Sequence, residues 1–232
     1  RIKAVVLMPT GVGTGWAKLE EIHGLLKRFR KTGKPLAAFL RTPSARDYYL
    51  ATAADHIYLQ PEDYLDLKGL RAELLFFRKT LDKIGVEVEI EHAGKYKDFG
   101  DMFTRTSMSP ETRLVLNSIL DELYGRLVET IAEGRGRTAD QVRATLDQGP
   151  FLSSQALENK LVDALVYEDQ MFSELKKRID GKELNKLNAR QYVRVPASSV
   201  GLEGRRQIAL VVAEGSIVSG GSGGCDDGLI CA

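Results

Sequence analysis

Residues 36–59, LAAFLRTPSARDYYLATAADHIYL, contain the pattern that decides the fold. Leu36 to Leu40 and His56 to Leu59 are short apolar runs typical of buried strands, and Tyr48 to Asp55 between them predicts a helix. A strand, a helix and a second strand joined by short linkers form the repeating unit of a parallel sheet. The sequence therefore predicts an α/β protein with a mainly parallel sheet and flanking helices.

The same alternation precedes this unit. Ala4 to Leu7 predicts a first strand, and Trp16 to Arg30 predicts an amphipathic helix. Between them lie Gly11, Gly13 and Gly15, whose expected role is to let backbone approach backbone closely at a strand-to-helix turn. Their G-x-G-x-G spacing is neither a P-loop nor the dinucleotide fingerprint, so we expect no nucleotide and no other cofactor.

Two further elements are predicted after the third strand. Leu74 to Ile84 has the spacing of an amphipathic helix, with Gly85 as its C-terminal cap. Val86 to Ile90 alternates as a strand does, and is predicted to be one.

Helix-start signals mark the second half of the chain. Ser109-Pro110-Glu111 combines an N-cap, a proline and an acidic first turn, and predicts a long helix that ends near Gly134. Thr138 and Gln141 have the spacing of a capping box, and Glu168 to Ile179 predicts a surface helix.

The C-terminal part has a different character. Asp180 to Ser199 is polar and poorly periodic, which is typical of a connector. Gln207 to Val212 predicts a buried strand, and the glycine-rich run Ser219 to Gly224 that follows is predicted to hold no regular structure. With no helix to cover it, this strand is interpreted as the start of a further unit.

Composition excludes several classes of protein. The chain has 232 residues, 33 Lys+Arg and 32 Asp+Glu, so its near-neutral charge argues against nucleic acid as a partner. Its two cysteines, Cys225 and Cys231, lie close to the end of the sequence. This placement excludes a disulfide framework and a cysteine-ligated metal site in the body of the protein. The sequence also lacks a run of about 18 apolar residues that would predict a membrane span.

The three histidines do not predict a metal site. His23, His56 and His92 are far apart and do not have the spacing of zinc ligands. His23 is expected to be partly exposed on a helix. His92 ends a predicted strand, where it could orient another group, but a structural role is the favoured interpretation.

One loop carries residues suited to catalysis. Lys95 and Lys97 flank Tyr96 between a predicted strand and the well-capped helix that begins at Ser109. Catalytic groups are often carried by loops held between rigid elements, and a lysine acts as a general base only while it is neutral, which burial favours. From composition alone, a solvated basic turn is the favoured interpretation of the same residues.

These residues also carry a family resemblance. Gly94 to Asp98 (GKYKD), Phe103 and Met108 to Pro110 closely resemble the lysine motif of the bacterial signal peptide peptidase A (protease IV) family of serine peptidases. The segments 15–22, 48–55 and 156–163 resemble other motifs of this family in the same order. The resemblance implies a ClpP/crotonase-like α/β fold and a Ser–Lys catalytic dyad.

The lysine of the dyad is matched, whereas the serine is not. The resemblance places the general base on Lys97, the lysine that follows the tyrosine, and leaves Lys95 exposed. The family carries its nucleophile three residues before a tyrosine pair, where this chain has Ala45, and Arg46 and Asp47 replace two glycines of the oxyanion hole. Ser44 lies one residue away from the nucleophile position, which would point its hydroxyl elsewhere.

A lysine without its serine is similar to the N-terminal repeat of the long, internally duplicated form of the family. On this basis residues 1–180 are expected to form the lysine-bearing repeat, 181–205 a connector, and 206–232 the first strand of a second repeat with a flexible tail. The second repeat would supply the serine. The whole protein is expected to degrade cleaved signal peptides at the bacterial inner membrane, outside the cytoplasm, and to form homo-oligomers. The segment 74–77 and the helix from Ser109 are the apolar surfaces first suspected of mediating this association, unless both are ordinary core.

Two other functions fit the same residues. A non-catalytic scaffold of this fold would explain the altered turn at residues 45–47. An acyl-CoA-binding enzyme of the crotonase type is suggested by fold analogy alone.

Overall fold

The computed structural model describes residues 2–91, 93–179, 181, 183–201, 216–218 and 229–231. The chain divides into two units, Arg1–Leu184 and Asn185–Ala232. In the first unit the strands are β1 (Val5–Leu7), β2 (Leu36–Leu40), β3 (His56–Leu59), β4 (Tyr64–Leu65), β5 (Phe151–Leu152) and β6 (Ala164–Leu165). Its helices are α1 (Trp16–Arg30), α2 (Ala45–Ala51), α3 (Arg78–Lys83), α4 (Asp101–Thr104), α5 (Pro110–Arg135), α6 (Ala139–Leu146), α7 (Ser153–Glu158) and α8 (Glu168–Arg178).

A parallel sheet organises the first unit. Its strand order is β1-β2-β3-β6, and each neighbouring pair is parallel. The short strands β4 and β5 form a separate antiparallel pair. The predicted α/β class, with a mainly parallel sheet and flanking helices, is confirmed.

The two faces of the sheet are covered by different helices. Because side chains alternate along a strand, Leu36, Ala38 and Leu40 of β2 pack into the main core with residues of α1, α2 and α5. Ala37 and Phe39 face the other side, where they pack with a buried methionine of α8. This alternation explains why β2 is apolar throughout its length: it is buried on both faces.

A buried tyrosine links α2 to the segment that follows α7. The Tyr48 hydroxyl donates a hydrogen bond of 2.6 Å to the backbone carbonyl of Leu161, and both residues are fully buried. Burial raises the pKa of Tyr48 far above its usual value. This hydroxyl therefore acts as a fixed structural donor.

The segment after β4 departs from the predictions. Val86 to Ile90 is not a strand, and the helix predicted from Leu74 to Ile84 is reduced to Arg78–Lys83. An alternating pattern forms a strand only where a neighbouring strand supplies hydrogen bonds, and no strand in the described part of the chain pairs with residues 86–90. Gly85, in contrast, follows α3 in a left-handed conformation with φ +72°, as expected for a helix end.

The predicted role of the three N-terminal glycines is also wrong. A Cβ at Gly11, Gly13 or Gly15 would have no atom within 4 Å, so none of them permits a close backbone approach. Only Gly11 has a backbone conformation, φ +58°, that favours glycine.

The second unit contains a short helix, α9 (Ala189–Val193), and a 3-10 turn (Ala197–Val200). Two strands, β7 (Ser216–Val218) and β8 (Leu229–Cys231), form a parallel pair within it. The strand predicted at 207–212, the glycine-rich run 219–224, Cys225 and His92 lie outside the described residues. The domain boundaries suggested by the sequence stay predictions.

Candidate active site

The turn between β2 and α2 is closed by its own carboxylate. Asp47 is 1% exposed. Its Oδ2 accepts hydrogen bonds from the Ser44 backbone N–H at 2.9 Å and the Ser44 hydroxyl at 2.6 Å. Its Oδ1 accepts the Val12 N–H at 3.1 Å, which links the glycine-rich segment to α2. The position that the family gives to an oxyanion-hole glycine is thus occupied by a buried anion with three donors.

Ser44 acts as the N-cap of α2. Its Oγ accepts the backbone N–H of Asp47 at 3.3 Å, which completes a capping box together with the bonds to the Asp47 carboxylate. A serine followed three residues later by an acid is the sequence signal for this motif, and it could have identified Asp47 as a structural residue. Among the described residues, no basic side chain is hydrogen-bonded to the Ser44 hydroxyl.

Ala45 and Arg46 begin α2 in place of the family's serine and first glycine. The methyl side chain of Ala45 cannot act as a nucleophile. The Arg46 guanidinium lies over the ring of Trp16, 5.8 Å from its centroid. Such a cation–π contact fixes the arginine on α1. The first turn of α2 is therefore held by structural contacts on both sides.

Lys97 lies in a solvent-exposed loop between α3 and α4. The loop turns at Gly94, whose φ is +93°, and the Lys97 N–H donates to the Gly94 carbonyl at 3.2 Å. Both Lys95 and Lys97 are exposed. The Lys95 ammonium lies 5.0 Å from the centroid of the Tyr96 ring.

A hydrogen-bond chain anchors this loop to α5. Asp98 Oδ2 accepts a bond of 2.7 Å from the hydroxyl of Thr112. The hydroxyls of Thr112 and Ser109 are also 2.7 Å apart, and Ser109 Oγ accepts the Thr112 N–H at 3.1 Å. Ser109 and Thr112 are buried. The sequence predicted the cap at Ser109 but gave no reason to connect it to the lysine loop.

An apolar groove lies beside this loop. Its volume is about 220 Å³. It is lined by Leu74, Leu75, Phe76, Asp98, Phe99, Asp101, Met102, Met108 and Thr112. Asp98 and Phe99, which follow Lys97 in the same loop, are among these residues.

The groove belongs to a longer segment, residues 68–123, that contributes little to the core. None of its described residues belongs to the buried apolar core. Its exposed large apolar side chains are Leu74, Leu75, Phe77, Ile84, Val86, Ile90, Tyr96, Phe99, Leu114, Val115 and Ile119. Leu75 and Phe99 are 71% and 85% exposed. Residues 74–77 and the N-terminal half of α5 therefore lie outside the buried apolar core, whereas Leu127, Val128 and Ile131 of α5 belong to it.

A second cavity, of about 420 Å³, lies at the amino ends of β3 and β6. Its carboxylates are already engaged: Asp163 pairs with Arg135 at 2.6 Å, and Glu174 accepts the Tyr58 hydroxyl at 2.7 Å. Burial, together with the bond to Glu174, raises the pKa of Tyr58 to about 12. Among the described residues, no serine, threonine or cysteine lines this cavity.

The two described histidines have structural contacts. His23 is 7% exposed rather than partly exposed, and its Nε2 lies 3.1 Å from the Thr52 hydroxyl. His56 lies at the start of β3, and its Nδ1 is 2.8 Å from the Asp55 carbonyl. Within the described ranges, no three His, Cys, Asp or Glu side chains come together as a metal site.

No hydrogen bond joins Lys97 to Ser44 within the described part of the chain. Ser44 is committed to α2, whereas Lys97 is open to solvent beside an apolar groove. The Lys97 amine is therefore accessible, whereas the Ser44 hydroxyl is engaged by Asp47. No helix of the described residues is long and apolar enough to cross a membrane.

Comparison with known proteins gives consistent matches. The profile of "Peptidase family S49" matches residues 28–182. "Serine protease SPPA, chloroplastic" of Arabidopsis thaliana is 30% identical over 94% of this chain and 33% of its own length. "Protease 4" of Salmonella typhi is 30% identical over 90% of this chain and 35% of its own length. The chain thus spans about a third of the length of these relatives.

Solved structures match more distantly. A peptidase from Plasmodium falciparum aligns with a TM-score of 0.42 and 8% identity, over 72% of this chain and 78% of that one. This likeness adds nothing to the assignment, which rests on the sequence relatives and the family profile. The chain belongs to peptidase family S49, the family of signal peptide peptidase A (protease IV).

Proposed function

We propose that this chain is the lysine-bearing N-terminal portion of a serine endopeptidase, and that Lys97 is the general base of a Ser–Lys dyad whose serine lies outside it. The observation that carries the proposal is a contrast within one unit. Lys97 is exposed on a loop beside an apolar groove, whereas the turn that would hold a nucleophile is filled by Asp47.

The filled turn supports a nucleophile supplied from elsewhere. An oxyanion hole needs unpaired backbone donors aimed at the developing negative charge. Here the N–H groups of Val12 and Ser44 already donate to Asp47, so neither is available to a tetrahedral intermediate. Since the chain spans about a third of its relatives, the remaining part of such a protein has ample length to contain a serine-bearing unit.

The exposure of Lys97 fits a site completed on assembly. A general-base lysine must be neutral, and removal from water disfavours its charged form. The serine-bearing unit would exclude water from Lys97 when it docks. Lys97 would then take the proton of the serine hydroxyl as the oxygen attacks a peptide carbonyl.

The apolar segment 68–123 is the surface on which we place this partner. Exposed apolar patches of this kind mark interfaces in soluble proteins. The Lys97 loop lies within this segment. We propose that it contacts the serine-bearing unit of the same protein, and that further copies complete a homo-oligomer.

The groove beside Lys97 suits apolar peptide side chains, which supports cleaved signal peptides as substrates. Such peptides are released at the membrane, so we propose that the whole protein is membrane-associated and acts outside the cytoplasm of a bacterium. The proposed substrate class is based on the name of signal peptide peptidase A, a member of this family.

The alternative is a non-catalytic scaffold of the same fold. The Asp47 network favours it, because this unit has lost the features of an independent active site. In that case the apolar segment would serve assembly and substrate enclosure only, and Lys97 would have no chemical role.

A paired substitution in the full-length protein distinguishes the two functions. Lys97→Ala should reduce kcat/KM for peptide hydrolysis by about 10²–10⁴-fold, the usual contribution of a general base. Lys95→Ala is the matched control, since both lysines are exposed in the same loop, and it should retain activity. Full activity of Lys97→Ala would establish the scaffold instead, and loss in Lys95→Ala alone would reverse the assignment of the base.

A further inference from the structure

The Asp98 carboxylate lies next to Lys97 in the sequence but is bonded elsewhere. Thr112 donates to Asp98 Oδ2 at 2.7 Å, and among the described residues no ion pair joins Asp98 to Lys97. A lysine paired with a carboxylate is held in its charged form, which is the wrong form for a base. The position of the Asp98 carboxylate therefore matters for the proposed role of Lys97 as a base.

The donor and the acceptor of each hydrogen bond among Ser109, Thr112 and Asp98 follow from the bond to the carboxylate. A carboxylate accepts only, so the single hydroxyl hydrogen of Thr112 goes to Asp98. The Ser109 hydroxyl, 2.7 Å from Thr112 Oγ1, must then donate to it. Ser109 Oγ in turn accepts the Thr112 N–H at 3.1 Å. The hydroxyls of Ser109 and Thr112 each have a partner, and both residues are buried, so the hydrogen bonds run in one direction, from Ser109 through Thr112 to Asp98.

This hydrogen-bond chain is attached to a rigid element, the first turn of α5. Ser109 caps α5, a helix of 26 residues, and Thr112 lies in its first turn. The rest of the loop has weaker ties: the Lys97 N–H closes a local turn on Gly94, and the Asp98 carbonyl accepts the Asp101 N–H at 2.9 Å. Within the described residues, the Thr112 bond is the side-chain hydrogen bond that joins this loop to α5.

Other charged groups lie around the loop. Lys95 is stacked near Tyr96, Asp101 on α4 pairs with Arg105 at 3.6 Å, and Glu111 lies in the first turn of α5. No ion pair links any of them to Lys97 in the described part of the structure. Asp98, as the adjacent residue, is the carboxylate most readily released toward it.

We propose that Thr112, supported by Ser109, is a positioning residue: it holds the Asp98 carboxylate on α5 and away from Lys97, which fixes the loop and leaves the Lys97 amine free to act as a base. This inference rests on the proposed function of Lys97. Loss of the Thr112 hydroxyl would both loosen the loop and release a carboxylate able to pair with the lysine.

The test uses the full-length protein and the pH dependence of kcat/KM. Thr112→Val keeps the shape of the side chain and removes its donor. We expect kcat/KM near neutral pH to fall about tenfold or more, mainly through kcat, and the acidic limb of the profile to move to higher pH. Thr112→Ser restores the hydroxyl and should recover activity to within about threefold of wild type. Thr106→Val, at an exposed threonine of the same region, is the matched control.

A double variant separates positioning from simple destabilisation. Thr112→Val with Asp98→Asn removes the charge that could pair with Lys97, so its acidic limb should return to the wild-type pH even if the rate stays low. A Thr112→Val enzyme whose rate falls without any movement of that limb would overturn the proposal, as would a limb that stays displaced in the double variant. Lys97→Ala, assayed in parallel, reports on the base itself: if it is fully active, the proposed function fails independently of Thr112.

Discussion

Removal of the Asp47 carboxylate should substantially destabilise the first unit. Asp47→Ala leaves the backbone N–H groups of Val12 and Ser44 without their acceptor in a partly buried turn. A hydrogen bond to a charged group contributes about 1.5–3 kcal/mol, and a buried donor left unpaired costs about 1–3 kcal/mol. Three bonds are lost, but the buried charge is lost with them and water can enter the turn. We therefore expect a net decrease of about 3–4 kcal/mol in the free energy of unfolding.

The assay is urea denaturation of the purified chain, followed by circular dichroism. Asp47→Asn keeps one acceptor oxygen and should lose roughly half as much stability as Asp47→Ala. Asp140→Ala is the control, because its side chain is 94% exposed and pairs only with Arg143 on the helix surface; it should cost less than about 1 kcal/mol. If Asp47→Ala costs no more than this control, the carboxylate does not hold the turn.

Three further predictions concern packing and charge. Gly134→Ala should destabilise despite the better helix propensity of alanine, because its Cβ would lie 2.7 Å from the Thr52 carbonyl oxygen; thermal unfolding of this variant measures the effect. Burial, assisted by Lys27, lowers the pKa of His23, so the unfolded chain binds the extra proton and stability should fall as pH drops below about 6.5. Unfolding free energies at pH 7.5 and 5.5 should differ less in His23→Gln than in the wild type. Arg135→Ala should lower the free energy of unfolding, measured by urea denaturation, by roughly 2–4 kcal/mol, because Asp163 loses its ion-pair partner. Burial alone would raise the pKa of Asp163, but Arg135 and the Ile57 N–H lower it.

The sequence predicted most of the elements that form the sheet and its helices. Trp16–Arg30 and Leu36–Leu40 have the predicted bounds, because apolar periodicity and helix-end signals are local properties of the chain. Tyr64–Leu65 and Phe151–Leu152 were not predicted. Each strand has two residues, too few for any pattern, and exists only because a distant segment supplies its partner.

The candidate site divides in the same way. A motif predicts Lys97 as the general base, which stays a prediction, and the residue lies in a loop as expected. No local sequence pattern predicts the tertiary contacts within residues 68–123. The exposure of Lys97, the groove and the bond from Thr112 to Asp98 all depend on those contacts. The alternating residues 86–90 illustrate the limit, since their pattern resembles a strand whereas the described chain offers them no neighbour.

Covalent labelling of the full-length protein with a serine-reactive fluorophosphonate tests whether Lys97 activates a serine that does not belong to residues 1–232. We predict that the labelled serine maps outside this chain, and that labelling slows at least about 10²-fold in Lys97→Ala but not in Lys95→Ala. A label on Ser44, or labelling at the wild-type rate in Lys97→Ala, would contradict it.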